Sequence, residues 1–147
     1  DAEVFEDTND DGVFTIIKDS FTFKDDFNIQ GGEAESLFIT DNYVLAGFDN
    51  DRGCYMALLD SNGAINDNLT FADGYSINEI DYDSGLLALA AGNDGVLLYS
   101  WDASMSLDFI GVIPSGDDNY VYDVKIQSNI IFTASENGIS IYKIKVD

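Results

Sequence analysis

Four short turns rich in Asp or Asn, each ending in glycine, recur ahead of apolar runs: DTNDDG before VFTIIK, DNDRG before CYMALL, GNDG before VLLYSW, and SENG before ISIYKI. Their glycines are Gly12, Gly53, Gly95 and Gly138, spaced by 41, 42 and 43 residues. A fixed period of about 40 to 45 residues marks one supersecondary unit repeated along the chain, as in β-propeller blades. The stretches between the turns repeat too. An apolar strand stands before each of the last three turns, at YVLAGF, LLALAAG and IIFTASE. A further strand precedes these across the polar turns DN, DSG and QSN, at ESLFIT, NEIDY and YDVKI. Superposed, they place Leu37, Ile80 and Val124 in one column and Ser36, Glu79 and Asp123 in the column before it. FTFKDDF, INDNLTF and LDFIGVI alternate more weakly and read as outer strands.

Each unit therefore reads as strands A, B, C and D, with the Asx/Gly turn between B and C. The apolar segments are too short for amphipathic helices, and turn residues recur too often to leave room for one. The sequence predicts an all-β chain of about three and a half four-stranded propeller blades. Residues 1–30 form a partial blade with strands B to D, 31–73 and 74–116 are full blades, and 117–147 form a partial blade with strands A to C. One twisted sheet cannot bury both its faces alone, so neighbouring blades must cover them. The ends of this series are expected to be completed by further blades of a longer propeller or by another copy of the chain.

AGNDGVLLYSWD, TASENGISIYKI and above all YDVKIQSNIIFTASENGISIYKI resemble the strand B to strand C region of LVIVP-type and WD-like propeller repeats. The chain lacks the Gly-His dipeptide of WD repeats, and its Trp101-Asp102 pair stands one residue further from the turn glycine than that family places it. The resemblance implies a binding scaffold, extracellular or at the cell surface, and leaves the ligand open.

Charge narrows the partners. The chain carries 28 Asp and Glu against 6 Lys and Arg, a formal net charge of −22. Phosphate backbones are held by clustered Lys and Arg, and here the cations are scattered, so nucleic acid is excluded. No apolar run reaches the roughly 18 to 20 residues that would cross a bilayer, so no membrane insertion is expected. With no histidine and a single Cys54, the usual Cys/His zinc sites and any histidine-dependent triad are excluded as well. Cys54 lies inside CYMALL and is expected to be a buried, inert thiol.

Three constellations remain. In a propeller the B–C and D–A loops share one face, which here gathers Asp49, Asp51, Asp94, Asp117, Asp118 and Glu136, with Glu33, Glu35 and Asp73 beside them. That negative face suits a basic protein surface or a divalent cation, and equally an ordinary solvated rim. Asp7, Asn9 and Asp11 offer oxygens at alternate positions ahead of Gly12, as in the first half of a calcium loop. Lys18 stands where that loop needs a bidentate glutamate, and the same residue types suffice for a hairpin turn. Finally, strand A lines the channel of a propeller, so Ser36, Glu79 and Asp123 would bring two carboxylates near the axis. Such a pair serves either acid–base hydrolysis or lysis, or structural hydrogen bonding between blades. The expected function is a non-enzymatic scaffold for protein binding or assembly that requires no cofactor. The alternatives are a Ca2+-dependent adhesion module and a fragment of a propeller hydrolase or lyase. The tyrosines and Trp101 fall at alternating strand positions and are expected in the core rather than on a sugar platform.

Overall fold

The computed structural model describes residues 22–145 and, before them, the antiparallel strand pair β1 (Phe5–Glu6) and β2 (Thr15–Ile16). The calcium-loop candidates Asp7, Asn9 and Asp11 lie outside the described residues. Three antiparallel sheets follow in chain order. The first comprises β3 (Ala34–Thr40), β4 (Tyr43–Phe48), β5 (Cys54–Leu59) and β6 (Ile65–Phe71). The second comprises β7 (Glu79–Asp83), β8 (Leu86–Ala90), β9 (Val96–Trp101) and β10 (Leu107–Ile113), and the third β11 (Val121–Gln127), β12 (Ile130–Ser135) and β13 (Gly138–Lys143). Within each sheet every strand pairs with the next in sequence, as short turns require of antiparallel neighbours.

The residue pattern explains the layering. Strands β5 and β8 are near-continuous apolar runs and are mostly buried, because they lie in sheet interiors covered on both faces. Strands β6 and β10, at the sheet edges, share one pattern of half-buried and exposed positions. One core lies between the first two sheets and contains Leu45, Met56, Ile80, Leu87, Leu97 and Trp101. A second lies between the second and third sheets, around Ala88, Ala90, Val96, Val124 and Ile131. Trp101 and most of the tyrosines pack into or against these cores, whereas Tyr122 is 52% exposed. Tyr43 and Tyr82 meet the Trp101 ring edge-on, and Phe71 and Phe109 meet Tyr99 the same way.

The sheets are joined through their first strands. β7 packs on β3 and β4, and β11 packs on β7 and β8. A backbone hydrogen bond repeats at each junction: Ile77 N donates to Phe48 O at 2.9 Å, and 44 residues later Val121 N donates to Gly92 O at 3.0 Å. These bonds satisfy buried backbone groups where the chain leaves one sheet for the next.

Two expected outer strands form, and one does not. INDNLTF and LDFIGVI are β6 and β10, but the described residues 22–27 of the FTFKDDF stretch carry no strand. Asp25 accounts for the difference, because its exposed carboxylate accepts hydrogen bonds from backbone N–H groups. Oδ1 accepts from Asp26 N at 2.9 Å, and Oδ2 accepts from Ile65 N at 3.0 Å, at the edge of the first sheet. Phe27 then stacks on Tyr55 and meets Phe48 edge-on, pinning the segment across the outer face of that sheet. The described residues thus form an all-β protein of one two-stranded pair and three larger antiparallel sheets, with no helix and no closed ring among them.

Candidate functional site

The Asx/Gly turns place the first group of candidates. Asp49 begins the turn between β4 and β5, where Asn50 and Asp51 take φ of 51° and 60° and Gly53 takes 70°, conformations that Asn, Asp and Gly tolerate best. Asp49 N donates to Glu33 O at 3.0 Å, and Asp49 Oδ1 accepts from Glu33 N, which ties this turn to the loop entering β3. Asp51 binds forward instead: its N–H donates to Ser76 Oγ, and that hydroxyl donates to its carboxylate. The next turns are held alike. Ser115 Oγ donates to Asn93 O beside Asp94, Glu136 N donates to Tyr120 O, and Asn137 N donates to Asn119 Oδ1.

Each turn between second and third strands is therefore bonded to the loop before a first strand, and the carboxylates of these segments share one rim. Asp51, Asp94, Asp117, Asp118 and Glu136 are exposed, and Asp49 is half-buried. Among the described residues, Arg52 is the cation within these turns and loops. The rim also holds a finer cluster that the sequence reading left scattered along the face: oxygens of Glu33, Glu35 and Asp49 lie within 4.8 Å of one another. Glu33 and Glu35 are exposed, and the Asp49 oxygen already accepts from Glu33 N and Asn50 Nδ2. A hard cation would find carboxylate oxygens here, the ligand type calcium prefers, but one of the three is already occupied in holding the turn.

The first-strand column is arranged differently. Glu79 and Asp123 both face Lys125, whose Nζ lies 3.4 Å from Glu79 Oε1 and 3.5 Å from Asp123 Oδ1. The two carboxylates thus converge on one ammonium rather than on each other. Burial lowers the Lys125 pKa, but Glu79, Asp123, the Glu79 hydrogen bond and Asp81 together outweigh it, and the group stays above its ordinary value. All three side chains are partly exposed, so these ion pairs add little stability. Asp123 Oδ1 is buried and makes no hydrogen bond; its contact with Lys125 is an ion pair alone. Ser36 stands apart. A Cβ at Gly47 would overlap its hydroxyl, and Ser36 Oγ is buried without a hydrogen-bond partner.

Structurally important residues that the sequence reading passed over stand on the same strand as Glu79. Asp81 Oδ2 accepts from Ile126 N and Asp83 Oδ2 from Ser128 N, each at 2.6 Å, so β7 stitches the second sheet to the third. The Ser84 hydroxyl and Ser128 N–H hold the Asp83 carboxyl below the usual carboxylate range. The signal was present as Glu79, Asp81 and Asp83 at period two, alternating with Ile80 and Tyr82. Asn78 makes a second junction, donating to Val121 O and accepting from the Tyr120 hydroxyl. Cys54 is fully buried, and that burial pushes its thiol far up, as expected of an inert packing residue.

Fold and rim together define an all-β protein of serial antiparallel sheets carrying an acidic loop edge. No protein-family model matches the chain, and no curated protein matches it. Among solved structures it is similar to a crystal structure of the computationally designed Ika4 protein, at 11% identity and a TM-score of 0.45, over 82% of this chain and 96% of that one.

Proposed function

We propose that the chain is a propeller-type, non-enzymatic scaffold that binds a basic protein surface through its acidic rim, in an extracellular or cell-surface setting. The observation that carries this reading is the rim itself. Three successive turn–loop junctions, each braced by hydrogen bonds, present Asp51, Asp94, Asp117, Asp118 and Glu136 with Arg52 as their cation. Charge fixed on braced backbone steers a partner without the entropy cost of ordering mobile loops. The sheets supply the rigid support.

Calorimetry with a lysine-rich peptide tests the rim. Wild type binds, and binding weakens with salt. Asp94→Asn combined with Asp117→Asn lowers affinity several-fold, whereas Asp41→Asn with Asp102→Asn, which remove the same charge from other loops, leave it nearly unchanged. Equal losses in the two variants would assign the effect to net charge and remove the rim from the argument. The Glu33, Glu35 and Asp49 cluster favours calcium-assisted adhesion as a second reading. A calcium titration with Glu33→Gln as control decides it: heat of binding abolished by the substitution supports it, and no heat in wild type eliminates it.

A further inference from the structure

Small residues hollow one face of the first sheet. Register there pairs Val44 with Ala57 and Ala46 with Tyr55. The same columns of the second sheet hold Leu87 with Tyr99 and Leu89 with Leu97, which fill the core between the first two sheets. Volume that leucine and tyrosine side chains occupy in the second sheet is therefore missing over Val44, Ala46 and Ala57 in the first.

The chain's own segment ahead of β3 crosses this face without filling it. Phe27 stacks on Tyr55, and Ile29 packs against the small core of Phe48, Tyr55 and Ala57. Asp25 fastens the segment at Ile65 N. Between segment and sheet lies a cavity of about 330 Å³, walled by Asp25, Asp26 and Phe27 on one side and by Val44, Ala46 and Ala57 on the other. Small-molecule sites span about 300–1,000 Å³, so the cavity suits a compact ligand.

Its walls are apolar except around Asp25. Tyr55 is 4% exposed and lines the cavity, and its hydroxyl makes no hydrogen bond among the described residues. Burial first, and the Asp25 charge second, raise the pKa of that phenol, so hydroxyl and carboxylate are neighbours. A carboxylate offers about four lone-pair sites, so Asp25 keeps acceptor capacity beyond the N–H groups of Asp26 and Ile65. Asp26 adds a second negative charge to the same wall. Lys24 passes the cavity edge, its Cγ 3.8 Å from where a Cβ on Gly63 would stand, yet it pairs with neither aspartate among the described residues.

We propose that this cavity binds a small organic cation, a primary ammonium on an apolar body. The ammonium donates to the Asp25 carboxylate and the Tyr55 hydroxyl, and the apolar body lies on Val44, Ala46 and Ala57. An anion of the same shape meets like charge at that wall, and a neutral isostere forgoes the charge-assisted hydrogen bond. None of these residues belongs to the acidic rim, so failure of either reading leaves the other standing.

Amide NMR of the whole chain, titrated with 2-phenylethylammonium, tests it. Saturable shifts are expected at the Tyr55 and Ile65 amides. The neutral 2-phenylethanol binds several-fold more weakly, and 3-phenylpropionate about tenfold or more. Val44→Phe fills the cavity at constant net charge and lowers ammonium affinity about tenfold or more. Should it misfold, Ala46→Val takes its place. Asp25→Asn combined with Asp26→Asn brings the ammonium down to the level of the alcohol. Wild type without shifts at these amides, affinity retained in the filled cavity or in the double Asn variant, or a propionate that binds as well as the ammonium would each overturn the site.

Discussion

Gly85 and Gly95 share a φ of +88° but differ in what an added Cβ would meet, which isolates one steric term cleanly. Gly85→Ala places its methyl 3.8 Å from Trp101 O, an ordinary contact, so its cost is the left-handed backbone alone, about 1–2 kcal/mol. Gly95→Ala incurs the same strain and in addition drives the methyl into the carbonyl oxygen of Ile113 on β10, with Ser115 N 2.7 Å away. Backbone bonded into a sheet edge cannot swing aside as a side chain would. Overpacking of this kind adds about 1–3 kcal/mol, for a total near 2–5 kcal/mol. Urea unfolding followed through the buried Trp101 indole, whose Nε1 donates to Ser104 O, reads both values in one sheet. Equal destabilisation of the two variants, within about 0.5 kcal/mol, would refute the reasoning, since sharing φ they differ chiefly in the carbonyl.

Asp81→Ala leaves Ile126 N–H without its acceptor and is expected to cost about 1–3 kcal/mol in thermal unfolding, whereas the exposed Asp67→Ala costs little. Asp83 has a folded pKa below its unfolded value, so its contribution is present above the ordinary carboxyl pKa and is lost as pH falls through the lowered one. Acid titration of Asp83→Asn should therefore show a shallower loss of stability over that range than wild type. Cys54 should resist thiol reagents in the native protein and react fully in denaturant; rapid native labelling would contradict its burial. Leu87→Ala, in the core between the first two sheets, should cost about 2–5 kcal/mol by denaturant midpoint.

Local chemistry determined what could be read without a structure. Strands of five to seven residues with β-branched and aromatic content, punctuated by Asx/Gly turns at a 41 to 43 residue period, leave an all-β chain as the consistent solution, and β3 to β13 lie where those segments stand. Burial of Cys54 followed from its apolar neighbours, and the acidity of the B–C turns from their composition. Tertiary structure alone decided the rest, because it depends on which backbone groups find partners across sheets. FTFKDDF has the alternation of an outer strand, yet Asp25 binds Ile65 N and Phe27 stacks on Tyr55, so the segment crosses a sheet instead of extending one. Glu79 and Asp123 were readable as a pair of carboxylates, but not as two partners of Lys125, since residues 44 apart come together only when β7 and β11 pack. Leu37 and Ile80 are indistinguishable as letters in one column. Only the position of the sheets makes one a core residue and the other an open face.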